Sequence, residues 1–184
     1  MTPYNTETSR LIYARVAGLA FLLYIAAGLT SMALPDRTPA TDLLSLLMSF
    51  SALVLGVMLY TLTRDQGPAF AMLALACRVL EAVPVSEPAI FFAVGSTIFS
   101  WLLLRGQMIP VALAWLGVVA SLLLVVILPL QLAGLFGGPM AWSAGNTWLV
   151  WLPMLAYEVI LALWFLIRGV SQPVIQNIAL VEAN

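Results

Sequence analysis

Three ionisable side chains lie well inside the apolar stretches of this sequence: Arg78, Glu81 and Glu158. Charged groups in hydrocarbon are costly, so they tend to face the interior of a helix bundle and to pair with one another. Arg78 and Glu81 are three residues apart and therefore share one face of a helix. Glu158 lies in a different apolar stretch, at a depth that Arg78 matches if the two helices pack. The sequence thus predicts a buried cluster in which Arg78 pairs with the Glu158 carboxylate.

The chemistry of this cluster has two interpretations. Two acids and one cation leave one carboxyl group in surplus, and an apolar setting favours the protonated form of that group at pH 7. A buried ion pair with hydrogen bonds can fix which helices pack together. Alternatively, a surplus carboxyl group inside a bundle can bind a proton or a small ligand. The candidate ligand- or proton-binding residues are Arg78, Glu81, Glu158 and its neighbour Tyr157.

The composition indicates a membrane protein. Hydrophobic residues make up 63% of the 184 residues and charged residues only 8%, whereas a soluble domain carries about 25% charged residues. The apolar residues are grouped in long runs rather than patterned for an aqueous core. The net charge is −1, and the scattered arginines form no basic patch that could neutralise phosphates, so we expect no nucleic-acid partner. The expected partner is the lipid bilayer.

Missing residue types restrict the chemistry further. The chain has no histidine, which removes the usual haem and zinc ligand sets, and no lysine for a Schiff base. It also has no Gly-x-Ser-x-Gly motif, no phosphate-binding glycine loop and no cluster of metal ligands. We therefore expect no cofactor and no metal site, and we do not expect an enzyme.

Six apolar stretches are separated by short polar turns rich in proline and glycine. A membrane span needs roughly 20 apolar residues, or about 17 at the short end. The sequence predicts an all-α fold, an antiparallel bundle of six transmembrane helices over residues 12–168, with a cytoplasmic N-terminal segment (1–11) and a cytoplasmic C-terminal tail (169–184). The predicted spans are Ile12–Leu34, Leu43–Leu62, Pro68–Val83, Pro88–Leu104, Ile109–Leu135 and Thr147–Ile167.

The arginines near the ends of the spans predict the orientation. With the N-terminus in the cytoplasm, all but one of them lie on the inner side, as the positive-inside rule requires. The inner arginines are Arg10, Arg15, Arg64, Arg105 and Arg168, and the outer one is Arg37. This bias predicts a multi-pass protein of the cell membrane with both termini in the cytoplasm. The first span is longer than a typical signal-peptide core, so we expect it to be retained.

Several segments together resemble a known family. The first span reads ARVAGLAFLLYIAAGL, the third contains CRVLEAV, the turn after the fourth reads LRGQMIP, and the last span ends YEVILALWFLIRGV. In this order they resemble the bacterial membrane proteins grouped as domain of unknown function 4386, over roughly residues 10–170. The resemblance implies a bacterial inner-membrane location and a helical fold. It implies no established activity.

Three functional classes follow from these observations. The best supported is a structural, accessory or partner-binding membrane protein, either a homo-oligomer or a subunit beside another membrane protein. The alternative is a small transporter or ligand-binding protein that uses Arg78, Glu81 and Glu158. An intramembrane enzyme has the least support. A cavity that reaches Glu158 would favour the second class, and a sealed cluster would favour the first.

Overall fold

The apolar stretches of the sequence form α-helices in the computed structural model of the chain. It describes residues 3–35, 38–83, 87–135 and 145–171, without the side chains of residues 3–6 and 145–148. Arg37 and the tail beyond Ser171, on which parts of the predicted topology depend, lie outside the described residues. The helices are α1 (Pro3–Met32), α2 (Pro39–Thr63), α3 (Pro68–Ala82), α4 (Pro88–Arg105), α5 (Val111–Leu132) and α6 (Gly145–Ile167).

Local sequence signals account for where these helices begin. Three helices have proline in their first turn: Pro39 in α2, Pro68 in α3 and Pro88 in α4. Backbone N–H groups in the first turn have no partner within the helix, so proline, which lacks an N–H, costs nothing there. Thr38 caps α2, because its side chain accepts from the Thr41 N–H at 3.2 Å and its own N–H donates to Thr41 Oγ1 at 2.9 Å. The first helix begins at Pro3, well before the predicted start of the span, so most of the predicted N-terminal segment is helical.

Five segments are long and apolar enough to cross a membrane: Glu7–Met32, Pro39–Gln66, Pro88–Arg105, Val111–Leu132 and Leu149–Ile167. The helix α3 has 15 residues, which at 1.5 Å per residue is about 22 Å long. That is shorter than the roughly 30 Å of a typical hydrocarbon core. The all-α membrane fold is therefore confirmed, and the described residues contain no β-strand. The count of six spans stays a prediction.

The helices pack in a closed cyclic order. Each contacts its neighbours in sequence, and α6 returns to contact α1. In this order α3 packs on α2 and α4, while α6 packs on α1 and α5. The helices that carry Arg78 and Glu158 are therefore not neighbours in this order.

Contacts near the chain ends fix the relative direction of α1 and α6. A Cβ added to Gly18 of α1 would lie 2.7 Å from the carbonyl oxygen of Ala162 in α6. A Cβ added to Gly169 would lie 2.7 Å from Leu11. The start of α1 and the chain after α6 consequently lie at the same end of the bundle, and the two helices run antiparallel.

The outer surface is apolar, as contact with lipid requires. On α5, exposed large side chains recur every three or four residues and so form one continuous helical face. They are Val111, Trp115, Val119, Leu122 and Val126. In water such a face would be costly, whereas in a bilayer it contacts acyl chains.

Candidate functional site

Arg78 is the largest fully buried side chain among the described residues, with 1% of its surface exposed. It lies on α3 where that helix is wedged between α2 and α4. Glycines on both neighbours make this close approach possible. A Cβ on Gly56 of α2 would lie 2.9 Å from Arg78 Cβ, and one on Gly95 of α4 would lie 3.1 Å from Cys77 Cβ.

The Arg78 guanidinium is held by three groups. Its Nη1 donates to Glu81 Oε2 at 2.9 Å and its Nη2 donates to Ser96 Oγ at 3.0 Å. The guanidinium carbon also lies 4.9 Å from the centre of the Phe92 ring, within cation–π distance. The predicted sharing of one helix face by Arg78 and Glu81 is confirmed, and their ion pair is buried.

The second carboxylate oxygen of Glu81 is bound by a different helix. Tyr24 of α1 donates its hydroxyl hydrogen to Glu81 Oε1 at 2.7 Å. The network therefore joins α1, α3 and α4. Sequence analysis missed Tyr24, although a hydroxyl group deep inside the apolar first span was an available signal, since buried tyrosine hydroxyls usually find a partner.

Glu158 does not make the predicted contact. Within the part of the chain that the structure describes, its carboxylate makes neither an ion pair with Arg78 nor a hydrogen bond, and Oε1 is buried without a partner. Only 5% of the residue is exposed. The predicted direct ion pair between Arg78 and Glu158 is absent from the described residues, because Glu81, on the same helix face, binds Arg78. The two groups are still near enough for their charges to interact.

Tyr157, the neighbour of Glu158, is held by contacts with α4 and α5, and its predicted part in a ligand site stays a prediction. Its hydroxyl oxygen accepts a hydrogen bond from Ser100 at 2.9 Å, and 2% of the residue is exposed. The ring lies against Gly117 of α5, where an added Cβ would overlap it. Tyr157 lines a void of about 10 Å³, shared with Arg78, which is too small for anything larger than a water molecule.

A much larger cavity, of about 380 Å³, lies at the other end of the bundle from Leu11 and Gly169. Its walls come from the second half of α1, the first half of α2, the end of α3, the start of α4 and the first half of α6. They are mostly apolar, and Leu29 and Met32 at the rim are 44% and 45% exposed. The polar and aromatic lining residues are Tyr24, Ser45, Ser49, Glu81, Phe92, Trp151 and Glu158.

The charges around this cavity are unequal. The two carboxyl groups, Glu81 and Glu158, line it, whereas Arg78 is not among its lining residues. Glu81 is neutralised by Arg78 behind the wall. Glu158 has no such partner among the described residues, so it must be either protonated or balanced by a cationic group. The described residues contain no group of three or more His, Cys, Asp or Glu side chains placed to hold a metal ion.

Comparisons with protein-family models, with curated proteins and with solved structures find no match to this chain. The fold and its apolar surface define the class as an α-helical integral membrane protein. The resemblance to the family of domain of unknown function 4386 stays a prediction.

Proposed function

We propose that this protein is a membrane-embedded binding protein of the transporter class, which holds a small and largely apolar ligand in the cavity of about 380 Å³. The observation that carries the proposal is that this cavity reaches the buried carboxyl group of Glu158. Small-molecule sites are typically concave, about 300–1,000 Å³ in volume, and apolar with a few polar groups. The proposed activity is binding and release, without a covalent step.

The structure divides the predicted cluster into two parts. Arg78 and Glu81 bind each other and the neighbouring helices, which suits a role in packing. Among the described residues Glu158 makes no hydrogen bond or ion pair with that network, although it lies near enough to Arg78 for the two charges to interact. A buried carboxyl group is costly to keep in a bundle, so a purely structural or accessory role leaves both the cavity and Glu158 without a purpose. A ligand site accounts for both.

The proposal includes six membrane passes with both termini on the cytoplasmic side. The contact between Leu11 and the chain at Gly169 supports an even number of passes. The starts of both α2 and α4 line the same cavity, so these helices run in the same direction and α3 must return the chain between them. A pass of 15 residues is short, but local thinning of the bilayer accommodates a short span at modest cost.

The test uses purified protein in an uncharged detergent and three probes of similar shape: neutral tert-butylbenzene, cationic phenyltrimethylammonium and anionic benzenesulfonate. A ligand that binds only the folded protein raises the unfolding temperature with its concentration. Ala89→Trp fills the cavity, because Ala89 lines it and is only half-buried. Val119→Trp is the matched control, since Val119 is 60% exposed on α5, which contributes no residue to the cavity lining among the described residues.

We expect at least one probe to raise the unfolding temperature of the wild type and of Val119→Trp, and this rise to be lost in Ala89→Trp. The proposal is wrong if no probe stabilises the wild type. It is equally wrong if every rise persists in Ala89→Trp, because the probe then acts on the detergent-covered surface.

A further inference from the structure

The charge of the groups that face the cavity points to the class of ligand. We propose that the cavity selects a monovalent organic cation with an apolar or aromatic body, and that this cation competes with a proton for the carboxylate of Glu158. This inference rests on the proposed function and specifies its ligand.

An anion has no counter-charge to meet in this cavity. Arg78 lies behind the wall and is bound by Glu81 at 2.9 Å and by Ser96 at 3.0 Å. The other Glu81 oxygen accepts from Tyr24 at 2.7 Å. The Arg78 charge is therefore already balanced by Glu81. The Arg78 Nε has no hydrogen-bond partner among the described residues, but Arg78 is not among the residues that line the cavity.

Glu158, in contrast, can present a negative charge to the cavity. It is 95% buried, being 5% exposed, and its Oε1 has no hydrogen-bond partner among the described residues. It also lines the cavity. An ionised carboxylate at such a place is stable only beside a cationic group, and a ligand that carries one positive charge supplies it.

The aromatic rings that line the cavity also favour an organic cation. Phe92 lies 6.4 Å from Tyr24 and 5.8 Å from Trp151, measured between ring centres, and all three residues line the cavity. Aromatic faces attract organic cations, as the position of Arg78 over Phe92 illustrates in this protein. Met48 and Met154 add flexible apolar walls that adapt to the body of a ligand.

Protons compete with the cation because both neutralise the same carboxylate. The titratable groups that face Glu158 are Tyr24 from α1, and Glu81 with its partner Arg78 from α3. The helix α5 carries no titratable side chain. Since Tyr24 and Arg78 are both engaged with Glu81, Glu158 is the group that exchanges its proton for the ligand. Lower pH must therefore weaken binding of the cation and leave binding of a neutral molecule unchanged.

The experiment compares phenyltrimethylammonium with its neutral carbon isostere, tert-butylbenzene, in the wild type across pH 5 to about pH 9. The quaternary ammonium cannot lose a proton, so any pH dependence belongs to the protein. We expect the cation to bind about tenfold or more tightly than the neutral probe at high pH, a difference of about 1.4 kcal/mol. We expect this preference to vanish at low pH.

Glu158→Gln keeps the shape of the side chain and removes its charge. We expect this variant to lose both the preference for the cation and the pH dependence. The inference is overturned if the wild type binds the two probes equally at every pH, or if folded Glu158→Gln keeps the preference. Binding of the neutral probe alone, abolished by Ala89→Trp, would overturn this inference while leaving the proposed function intact. The wild-type titration decides the question even if Glu158→Gln does not fold.

Discussion

At the scale of single residues, the buried charges differ in what they do. Arg78 donates to Glu81 through Nη1 and to Ser96 through Nη2, and it lies over the Phe92 ring. Its Nε has no hydrogen-bond partner among the described residues. Glu158, which is almost as deeply buried, contributes to none of these contacts. Burial alone therefore does not distinguish a structural charge from a functional one; the presence or absence of a partner does.

Arg78→Ala should strongly destabilise the protein. The substitution leaves Glu81 as a buried carboxylate whose cation is gone, and breaking a buried pair from one side typically costs about 3–5 kcal/mol. The measurement is unfolding in detergent, followed by circular dichroism. Arg15→Ala is the control, because Arg15 is exposed on α1 and its loss should change stability by less than about 0.5 kcal/mol.

Glu158→Gln provides the matched comparison for the same assay. Glu158 has no ion pair to lose in the described structure. We therefore expect the free energy of unfolding of the Glu158→Gln variant to stay within about 1 kcal/mol of that of the wild type. A loss as large as that of Arg78→Ala would show that Glu158 is paired after all. Little effect of Arg78→Ala itself would show that Arg78 faces water or lipid headgroups.

At the scale of helices, close packing depends on where glycine stands. Gly18 brings α1 against the backbone of α6, and Gly56 and Gly95 admit α3 between its two neighbours. Lipid tails are as apolar as leucine, so membrane helices gain little from hydrophobic burial and rely on such close contacts. The short helix α3 is held in this way on both sides.

Two glycine-to-alanine substitutions on α1 test whether close helix packing depends on the position of glycine. In Gly18→Ala the added methyl group would lie 2.7 Å from the carbonyl oxygen of Ala162, so α1 and α6 must separate. We expect a loss of about 1–3 kcal/mol in the free energy of unfolding. In Gly28→Ala the nearest atom is Met48 Cε at 3.5 Å, an ordinary contact.

Gly28→Ala should therefore be neutral or gain up to about 1 kcal/mol, because alanine favours helix more than glycine does. Both proteins would be unfolded in the same detergent. Equal stabilities for the two variants would contradict the proposed role of Gly18 in holding α1 against α6.

At the scale of the whole molecule, the packing order of the helices bears on how often the chain crosses the membrane. Five segments have the length and composition of spans, yet the cyclic packing needs α3 to bring the chain back between α2 and α4. The same arrangement places the cavity at one end of the bundle, away from Leu11 and Gly169. If the termini are cytoplasmic, the cavity lies toward the outer half of the bilayer.

Reporter insertions decide the topology. An enzyme that is active only outside the cytoplasm should be silent when placed after Asn184 or at Gly67, and active when placed at Ser86. This pattern follows from a sixth pass by α3 together with the arginine distribution. A fluorescent protein that folds only in the cytoplasm, inserted at the same sites, is the control and should give the reverse pattern. The same compartment for Gly67 and Ser86 would rule out a pass by α3, and external activity after Asn184 would rule out six passes.

The sequence by itself determined the helical membrane class, the approximate helix positions and the placement of Arg78 and Glu81 on one helix face. These features depend on local information: the length of apolar runs, proline at helix starts, and a spacing of three residues on one helix. It also identified Glu158 as an unusual residue, because an acid in the middle of an apolar stretch is costly wherever the helix packs.

Only the tertiary structure decided which groups meet. In the cyclic order of the helices, α3 and α6 are not neighbours; Arg78 binds Glu81 and Ser96, while Glu158 Oε1 has no hydrogen-bond partner among the described residues. The same packing brings Tyr24 within hydrogen-bond distance of Glu81 and leaves a cavity between five helices. Side-chain periodicity shows which residues share a helix face, but it does not show which neighbour that face will meet. That choice depends on how whole helices fit against one another, through contacts such as those at Gly18 and Gly56.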